Sequence, residues 1–282
     1  MGNPYLISPP ISAVNTSVTV ASQRQANSST NAIDIGLLGD WNFDTGVGSI
    51  AYDSSGNAED GSLIGILPPL WSRDAAVGHF SLFFNALYQS SVSLPYLSLS
   101  WNHSIVAWIK TSSMGGPMPI LSIFSTFPNN NSSATLEISQ GILRYSISLN
   151  GTTLLSVNAS NFIVADGQWH MIALVVSNIF IHLMVDNEVT MASQNLLFNP
   201  YVFSDFKDLF NSISIGGDNT ASFFNGNVDD VRIYGQALSA KEIISIFCKI
   251  IQYLKGCLEM WIAPHRYGQT KKKYLLTVSN YS

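Results

Sequence analysis

The sequence predicts an all-β fold of the sandwich type. Hydrophobic residues make up 46% of the 282-residue chain and charged residues only 11%, and this composition, with many aromatic and β-branched residues, is typical of strands around a sizeable core. Short apolar runs are separated by turns rich in Gly, Asn and Ser. Asn150-Gly151, between apolar runs at 143–149 and 153–157, is the strongest hairpin signal. Length alone allows one large β domain or two small ones.

The β pattern begins at residue 35. Residues 1–34 are polar, include Pro9 and Pro10 and show no periodicity, so we expect an extended or disordered arm. Residues 37–43 form the first predicted strand, with Trp41 and Phe43 on one face.

The first long loop, residues 44–61, is dense in Asp, Asn, Ser and Gly. Such a loop can turn sharply and can also direct carboxylate and amide oxygens at a hard cation. For Asp53 and Asn57 two interpretations stay open, a calcium site or turn capping through the neighbouring backbone.

The middle of the chain reads as a series of short strands. Residues 171–176 are apolar on both faces, which predicts a central strand covered from both sides. Asp186-Asn187 predicts a hairpin turn. Residues 195–210 form a longer insertion with Tyr201, Phe203 and Phe206, where a binding surface could form at the rim unless these aromatic residues pack onto the core.

The last predicted strand lies within residues 223–239. Strict alternation would place Asp229, Val231 and Ile233 on one face, with Asp230 and Arg232 on the other. A carboxylate beside core residues needs backbone N–H donors, an arginine or a metal ion.

A C-terminal helix follows this strand. Ser239 and Glu242 form a capping box, and an apolar stripe predicts that the helix docks on the sandwich. We expect residues 248–282 to form a helical and basic extension, whose run at 271–273 is a solvated tail.

The charge pattern argues against a nucleic-acid partner. Residues 1–240 contain 6 Lys and Arg against 16 Asp and Glu, while residues 241–282 contain 7 against 2, so the main domain is acidic. No apolar run is long enough to span a membrane, and the start of the chain shows no export signal. Eight N-x-S/T triplets nevertheless favour an extracellular or surface-exposed protein. They begin at Asn15, Asn27, Asn102, Asn130, Asn131, Asn150, Asn158 and Asn280.

Three ordered segments carry a resemblance to a known family. Residues 36–65 (GLLGDWNFDTGVGSIAYDSSGNAEDGSLIG), 165–176 (ADGQWHMIALVV) and 226–238 (GNVDDVRIYGQAL) resemble the opening, central and last strands of laminin G-like jelly-roll domains, within the concanavalin A-like lectin/glucanase superfamily. The resemblance implies a two-sheet antiparallel jelly-roll sandwich over residues 35–247, with a C-terminal helix.

The resemblance also implies one structural Ca²⁺ ion. Its matching positions are Asp53, Asn57 and Asp229, with Asp44 and Asp230 beside them, because the first and last strands of such sandwiches are commonly neighbours. The alternative is a cluster of turn caps and salt bridges that involves Arg232 or Arg73.

No catalytic motif stands out in the sequence. It lacks a phosphate loop, a G-x-S-x-G elbow and a Cys/His dyad, and Glu137 and Glu188 do not form the carboxylate pair of a glycosidase. His170 is expected to be structural. We therefore predict a non-catalytic recognition module of lectin or adhesion type that binds a glycan or protein through its rim loops. The alternatives are a structural surface or virion protein, and an accessory module of a carbohydrate-active enzyme.

Overall fold

A computed structural model describes residues 34–177, 180–186, 188–190, 209–218 and 220–250. Residues 1–33 of the predicted arm, most of the insertion at 195–210 and the extension beyond residue 250 lie outside these ranges.

Sixteen strands and one α-helix make up the described fold. The strands are β1 (Leu37–Trp41), β2 (Ile50–Ala51), β3 (Gly61–Ile64), β4 (Leu70–Ser72), β5 (Ser81–Phe84), β6 (Ser91–Leu94), β7 (His103–Lys110), β8 (Met118–Phe124), β9 (Ser133–Ser139), β10 (Ile142–Leu149), β11 (Thr152–Ile163), β12 (Trp169–Val176), β13 (Ile181–Val185), β14 (Glu188–Thr190), β15 (Ser212–Ile215) and β16 (Gly226–Tyr234). The helix, α1, spans Ala240–Ile250, and a 3₁₀ turn spans Ala86–Tyr88.

The strands form two eight-stranded sheets, in which neighbouring strands of the described residues pair antiparallel. The first sheet has the order β14-β13-β12-β7-β16-β5-β4, with β1 also paired to β16. The second has the order β11-β10-β9-β8-β15-β6-β3-β2. This architecture confirms the predicted all-β jelly-roll sandwich with a C-terminal helix.

The main core lies between the two sheets. Trp41 and Phe43 are both buried in it, as the sequence predicted. The hairpin between β10 and β11 turns at Asn150 and Gly151, whose φ angles of 49° and 79° are the left-handed values that such a two-residue turn requires. Strand β12 lies between β7 and β13 and is buried on both faces from Met171 onward, which confirms its prediction as a central strand.

Helix α1 covers the outer face of the first sheet. Its capping box forms as predicted, because the Ser239 N–H and hydroxyl both donate to Glu242. Ile243, Ile246 and Phe247 join a second apolar cluster on that face, where the Phe247 ring stacks on Trp108 at 5.6 Å between centroids. In the described part of the chain no helix is long and apolar enough to cross a membrane.

A bulge in β16 overturns the predicted alternation of its side chains. The register shifts between Asp229 and Arg232, and Asp230 has a φ of 47°. Asp229 consequently pairs with Trp108 on the outer, helix-covered face. Val231 points into the inter-sheet core, so the two residues do not share a face.

We expect the Phe247→Ala substitution to lower the free energy of unfolding by about 2–4 kcal/mol, since it empties a buried aromatic site between helix and sheet. Urea denaturation of the full chain measures this loss. The matched control is Ser245→Ala on the exposed side of the same helix, expected to stay within about 0.5 kcal/mol. Equal stability of the two variants would show that the helix does not dock as described.

Candidate functional site

The pairing of β1 with β16 brings the two ends of the sandwich sequence to one place. Asp40 lies opposite Arg232 in this pair, and Trp41 lies opposite Val231. Five carboxylate side chains lie on these two strands or in the loop that follows β1, and we call them the acidic rim. They are Asp40, Asp44, Asp53, Asp229 and Asp230.

Asp53 and Asn57 organise the first loop around β1. The Asp53 carboxylate accepts hydrogen bonds from the N–H groups of Asp40, Ser55 and Glu59 and from the Ser55 hydroxyl. Burial raises the pKa of Asp53, but these bonds outweigh burial and hold the pKa below its ordinary value. Asn57 donates from its amide to the Leu37 and Leu38 carbonyls. Asp53 therefore has the turn-capping role that the sequence offered as one alternative, whereas Asn57 ties the loop to β1.

Asp229 is the most deeply buried carboxylate of the acidic rim. Its residue is 0% exposed, and its Oδ2 accepts the N–H groups of Ala76 and Val77 at 2.9 and 3.0 Å. Its Oδ1 is buried with no hydrogen-bond partner. Burial, with the nearby charges of Asp230 and Asp44, raises the pKa of Asp229 to about 8 despite the two N–H donors. The site thus favours a neutralised carboxyl group.

Asp230 shares Arg232 with Asp40. Arg232 donates to Asp230 Oδ1 at 3.1 Å, and its Nε lies 3.4 Å from Asp40 Oδ1. Asp230 Oδ2 is buried without a partner, and burial raises the pKa of Asp230 in spite of Arg232. Burial also raises the pKa of Asp40, to about 6. The predicted salt-bridge alternative is therefore present at Arg232, whereas Arg73 instead lies over the Phe80 ring.

Asp44 and Asp229 hold the same connecting segment, residues 74–80. Asp44 accepts the N–H groups of His79 and Phe80. A Cβ atom at Gly78 would lie 2.1 Å from the Asp44 carboxylate, so only glycine allows this approach. Sequence reasoning missed this segment and Asp40, because their roles follow from strand pairing rather than from a local motif.

The acidic rim has hard oxygen donors but no closed metal cage. Among the described residues, no three His, Cys, Asp or Glu side chains converge closely enough to hold a metal ion by themselves. A cation would need further ligands, such as backbone carbonyls and water. The partnerless oxygens of Asp229 and Asp230 are the ones that such an ion would satisfy. Calcium stays a prediction at this rim.

A second feature lies on the outer face of the second sheet. Seven hydroxyl side chains stand opposite one another in register across seven consecutive strands. We call this line the hydroxyl row; its members, from β3 to β11, are Ser62, Ser93, Ser214, Ser122, Thr135, Ser146 and Ser156. At roughly 4.8 Å between strands the hydroxyl row is about 29 Å long. The residues that flank its members in each strand belong to the core, so the row faces away from it.

Exposure varies along the hydroxyl row. Ser62, Ser93 and Ser156 are exposed and Ser146 is half-buried, while the three central members are buried. The Ser122 hydroxyl makes no hydrogen bond. Sequence reasoning missed this row because serines at alternate strand positions are ordinary, and only the register aligns them.

Other polar groups adjoin the β10–β11 end of the hydroxyl row. Arg144 is paired with the buried Glu137 through Nε and Nη2 and lies opposite Asn158. Burial raises the pKa of Glu137, although Arg144 opposes that change. Phe124 is half-buried and stands two residues along the strand from Ser122, on the same face.

His170 has a structural arrangement. Its two ring nitrogens lie 3.0 Å from carboxylate oxygens of Asp186 and Asp166, and Asp186 also accepts the Met171 N–H. Burial lowers the pKa of His170, but the two carboxylates outweigh burial and raise it overall.

Comparison with known proteins assigns the family. The profile of the laminin G-like family of the concanavalin A-like lectin/glucanases superfamily matches residues 87–244, more than half of the chain. The chain belongs to this superfamily. No curated protein sequence matches it.

Solved structures share the fold at low sequence identity. Domain 4 of AbnA, a GH43 extracellular arabinanase from Geobacillus stearothermophilus in complex with arabinotriose, has a TM-score of 0.58 and 20% identity, over 73% of this chain and 96% of that domain. The binding domain of Paraclostridial Mosquitocidal Protein 1 has a TM-score of 0.54 and 16% identity, over 77% and 53%. Trypanosoma rangeli sialidase in complex with the inhibitor DANA has a TM-score of 0.52 and 16% identity, over 75% and 32%. The chain thus spans about half of the toxin domain and a third of the sialidase.

The raised pKa of Asp229 predicts a pH dependence of stability in the presence of a chelator. Because the folded state holds this proton more tightly than the unfolded state, stability falls as pH rises from about 4 to about 8. At about 1.4 kcal/mol per pKa unit the loss amounts to several kcal/mol. Asp229→Asn, which cannot titrate, is expected to remove this part of the slope in urea denaturation at several pH values. Parallel profiles for the two proteins would contradict the assignment.

Proposed function

We propose that this chain is a non-catalytic carbohydrate-recognition module that binds its glycan on the outer face of the second sheet. The observation that carries the proposal is the hydroxyl row. Its accessible members, Ser62, Ser93, Ser146 and Ser156, can each donate and accept, and the rigid sheet fixes their spacing.

The chemistry of the β10–β11 end suits a polyhydroxylated ligand. Ser146 and Ser156 can exchange hydrogen bonds with sugar hydroxyls, and Asn158 and Arg144 add an amide and a planar guanidinium. Phe124 supplies apolar area on the same face for the C–H side of a sugar ring. A few fixed polar groups beside an apolar surface are typical of small-ligand sites.

The carboxylates near the hydroxyl row already have hydrogen-bond or ion-pair partners, which favours binding without hydrolysis. Glu137 is tied to Arg144, and Asp218 accepts hydrogen bonds from Thr220 and from the Ser222 N–H. Neither is the freely placed acid or base that glycoside hydrolysis requires. The likeness to an arabinanase domain seen with arabinotriose supports a related role, an accessory module of a larger carbohydrate-active protein.

The second candidate function is the binding of a protein ligand through the rim loops. The likeness to toxin binding domains supports it, but residues 195–208 of the longest loop lie outside the described part. Either function fits an extracellular or surface-exposed protein, and Asn131 and Asn150 of the N-x-S/T triplets are exposed.

We further propose that Ca²⁺ stabilises the acidic rim at Asp229, Asp230 and Asp44. Two of these residues each keep a buried oxygen without a partner, and their charges oppose one another. A divalent cation would compensate this excess of negative charge. Asp53 and Asn57, already occupied by backbone contacts, would then support the rim through β1.

A glycan array with the full, unglycosylated chain tests the recognition proposal, and arabino-oligosaccharides are among its first probes. The double variant Ser146→Ala, Ser156→Ala is expected to weaken binding by about 5–150-fold, since two hydrogen bonds at about 0.5–1.5 kcal/mol each are lost. Ser245→Ala, on the opposite side of the sandwich, serves as the matched control. Undiminished binding by the double variant would exclude this face, and no binding to any glycan at millimolar concentration would exclude the function.

Calcium at a hundredfold excess over its dissociation constant is expected to raise the melting temperature by about 5–10 °C. Differential scanning fluorimetry with chelator and then with about 1 mM Ca²⁺, the concentration range in which extracellular calcium modules bind the ion, measures the change. Asp229→Asn should abolish it, and the exposed control Asp34→Asn should retain it. An unchanged melting temperature for the original chain would end the calcium proposal.

A further inference from the structure

Six large apolar side chains are exposed together at one end of the sandwich. They come from the β3–β4 connection, including the last residue of β3 and the first of β4, and from the 3₁₀ turn before β6. We call them the apolar tip; the exposed fractions are 85% for Leu87, 67% for Ile66, 64% for Leu70, 50% for Leu67, 45% for Ile64 and 43% for Tyr88. Contiguous apolar exposure of this kind marks a contact surface rather than ordinary scatter.

Backbone contacts hold the two segments of the apolar tip against each other. The N–H groups of Ile66 and Leu67 both donate to the Tyr88 carbonyl, at 2.8 and 3.3 Å. A Cβ atom at Gly65 would lie 2.6 Å from the Gln89 carbonyl oxygen, so glycine is needed for this close approach. The tip is therefore a built feature with a fixed shape.

Several backbone N–H groups of the apolar tip are paired within the tip itself. Pro68 and Pro69 at its turn have no N–H group. Four further donors have partners within the tip: the Leu87 N–H donates to Asn85 Oδ1, the Tyr88 N–H to the Asn85 carbonyl, the Gln89 N–H to the Ala86 carbonyl, and the Ser90 hydroxyl to the Leu67 carbonyl. Entry into a hydrocarbon environment requires such internal pairing, because lipid offers no hydrogen bonds.

The sequence segments that form the apolar tip contain no charged residues. Residues 61–72 and 81–102 contain no Asp, Glu, Lys, Arg or His. The amphipathic side chain Tyr88 stands among the aliphatic ones, and such a ring favours the headgroup level of a bilayer.

We propose that the apolar tip docks this domain on the surface of a neutral lipid bilayer. Ile66, Leu67 and Leu87 enter the boundary of the acyl region, and Tyr88 stays at headgroup level. A lipid surface fits better than a protein partner, because the tip presents aliphatic side chains and no charged group that would select a partner surface. This shallow docking requires no membrane-spanning segment.

Sedimentation of the full chain with phosphatidylcholine vesicles tests the proposal. The chain is expected to partition onto the vesicles, and raising NaCl from about 0.1 to about 0.5 M should leave the partition unchanged because no charge contributes. Ile66→Asp and Leu87→Asp are each expected to lower the partition coefficient by about tenfold or more. The matched control, Ile163→Asp, changes the same residue type at 60% exposure on β11, six strands away along the second sheet.

Three results would overturn the proposal. The first is no partition of the original chain onto vesicles, and the second is an equal loss for Ile163→Asp. The third is a concentration-dependent dimer in light scattering that Leu87→Asp abolishes while vesicle binding is absent, which would assign the tip to a second copy of the chain. Circular dichroism melts of each variant distinguish a lost contact from a lost fold.

Discussion

The antiparallel pairing of β1 with β16 is the constraint on which the acidic rim depends. These strands are separated by almost the whole sandwich sequence, yet Asp40 and Arg232 lie directly opposite each other. The loop that carries Asp53 is attached to β1, and the segment at 74–80 is attached to Asp229 and Asp44. Burying Asp229 and Asp230 and partly burying Asp40 and Asp53 is unfavourable unless each carboxylate gains donors, an arginine, a proton or a cation. The acidic rim has backbone N–H donors and Arg232. One carboxylate oxygen on Asp229 and one on Asp230 have no such partner and are left for a proton or a cation.

The sequence predicted the parts of this structure that depend on local patterns. The hairpin at Asn150-Gly151, the central strand β12 and the capping box at Ser239 all follow from short-range chemistry, and all are present. What it could not predict depends on register. The bulge at Asp230 places Asp229 and Val231 on opposite faces, and no residue type in this segment predicts a bulge. Asp40 looked like an ordinary strand residue until its pairing with Arg232 was known.

Three surfaces of one sandwich have different chemistry. The outer face of the first sheet is apolar and is covered by α1. The outer face of the second sheet carries the hydroxyl row, whose neighbours in each strand fill the core. The apolar tip lies where loops connect the sheets, and backbone hydrogen bonds hold its two segments together. Strand alternation and register therefore explain how a single core supports a polar face, while loop chemistry explains the apolar end.

The central claim is that both ends of the sandwich sequence are joined through the charges of the acidic rim. A double-mutant cycle on Asp40→Asn and Arg232→Gln, measured by urea denaturation at neutral pH, tests it most directly. The account predicts a coupling energy of about 0.5–3 kcal/mol, because the two side chains lie 3.4 Å apart and are largely shielded from water. Additive effects of the two substitutions, with no coupling beyond error, would contradict it.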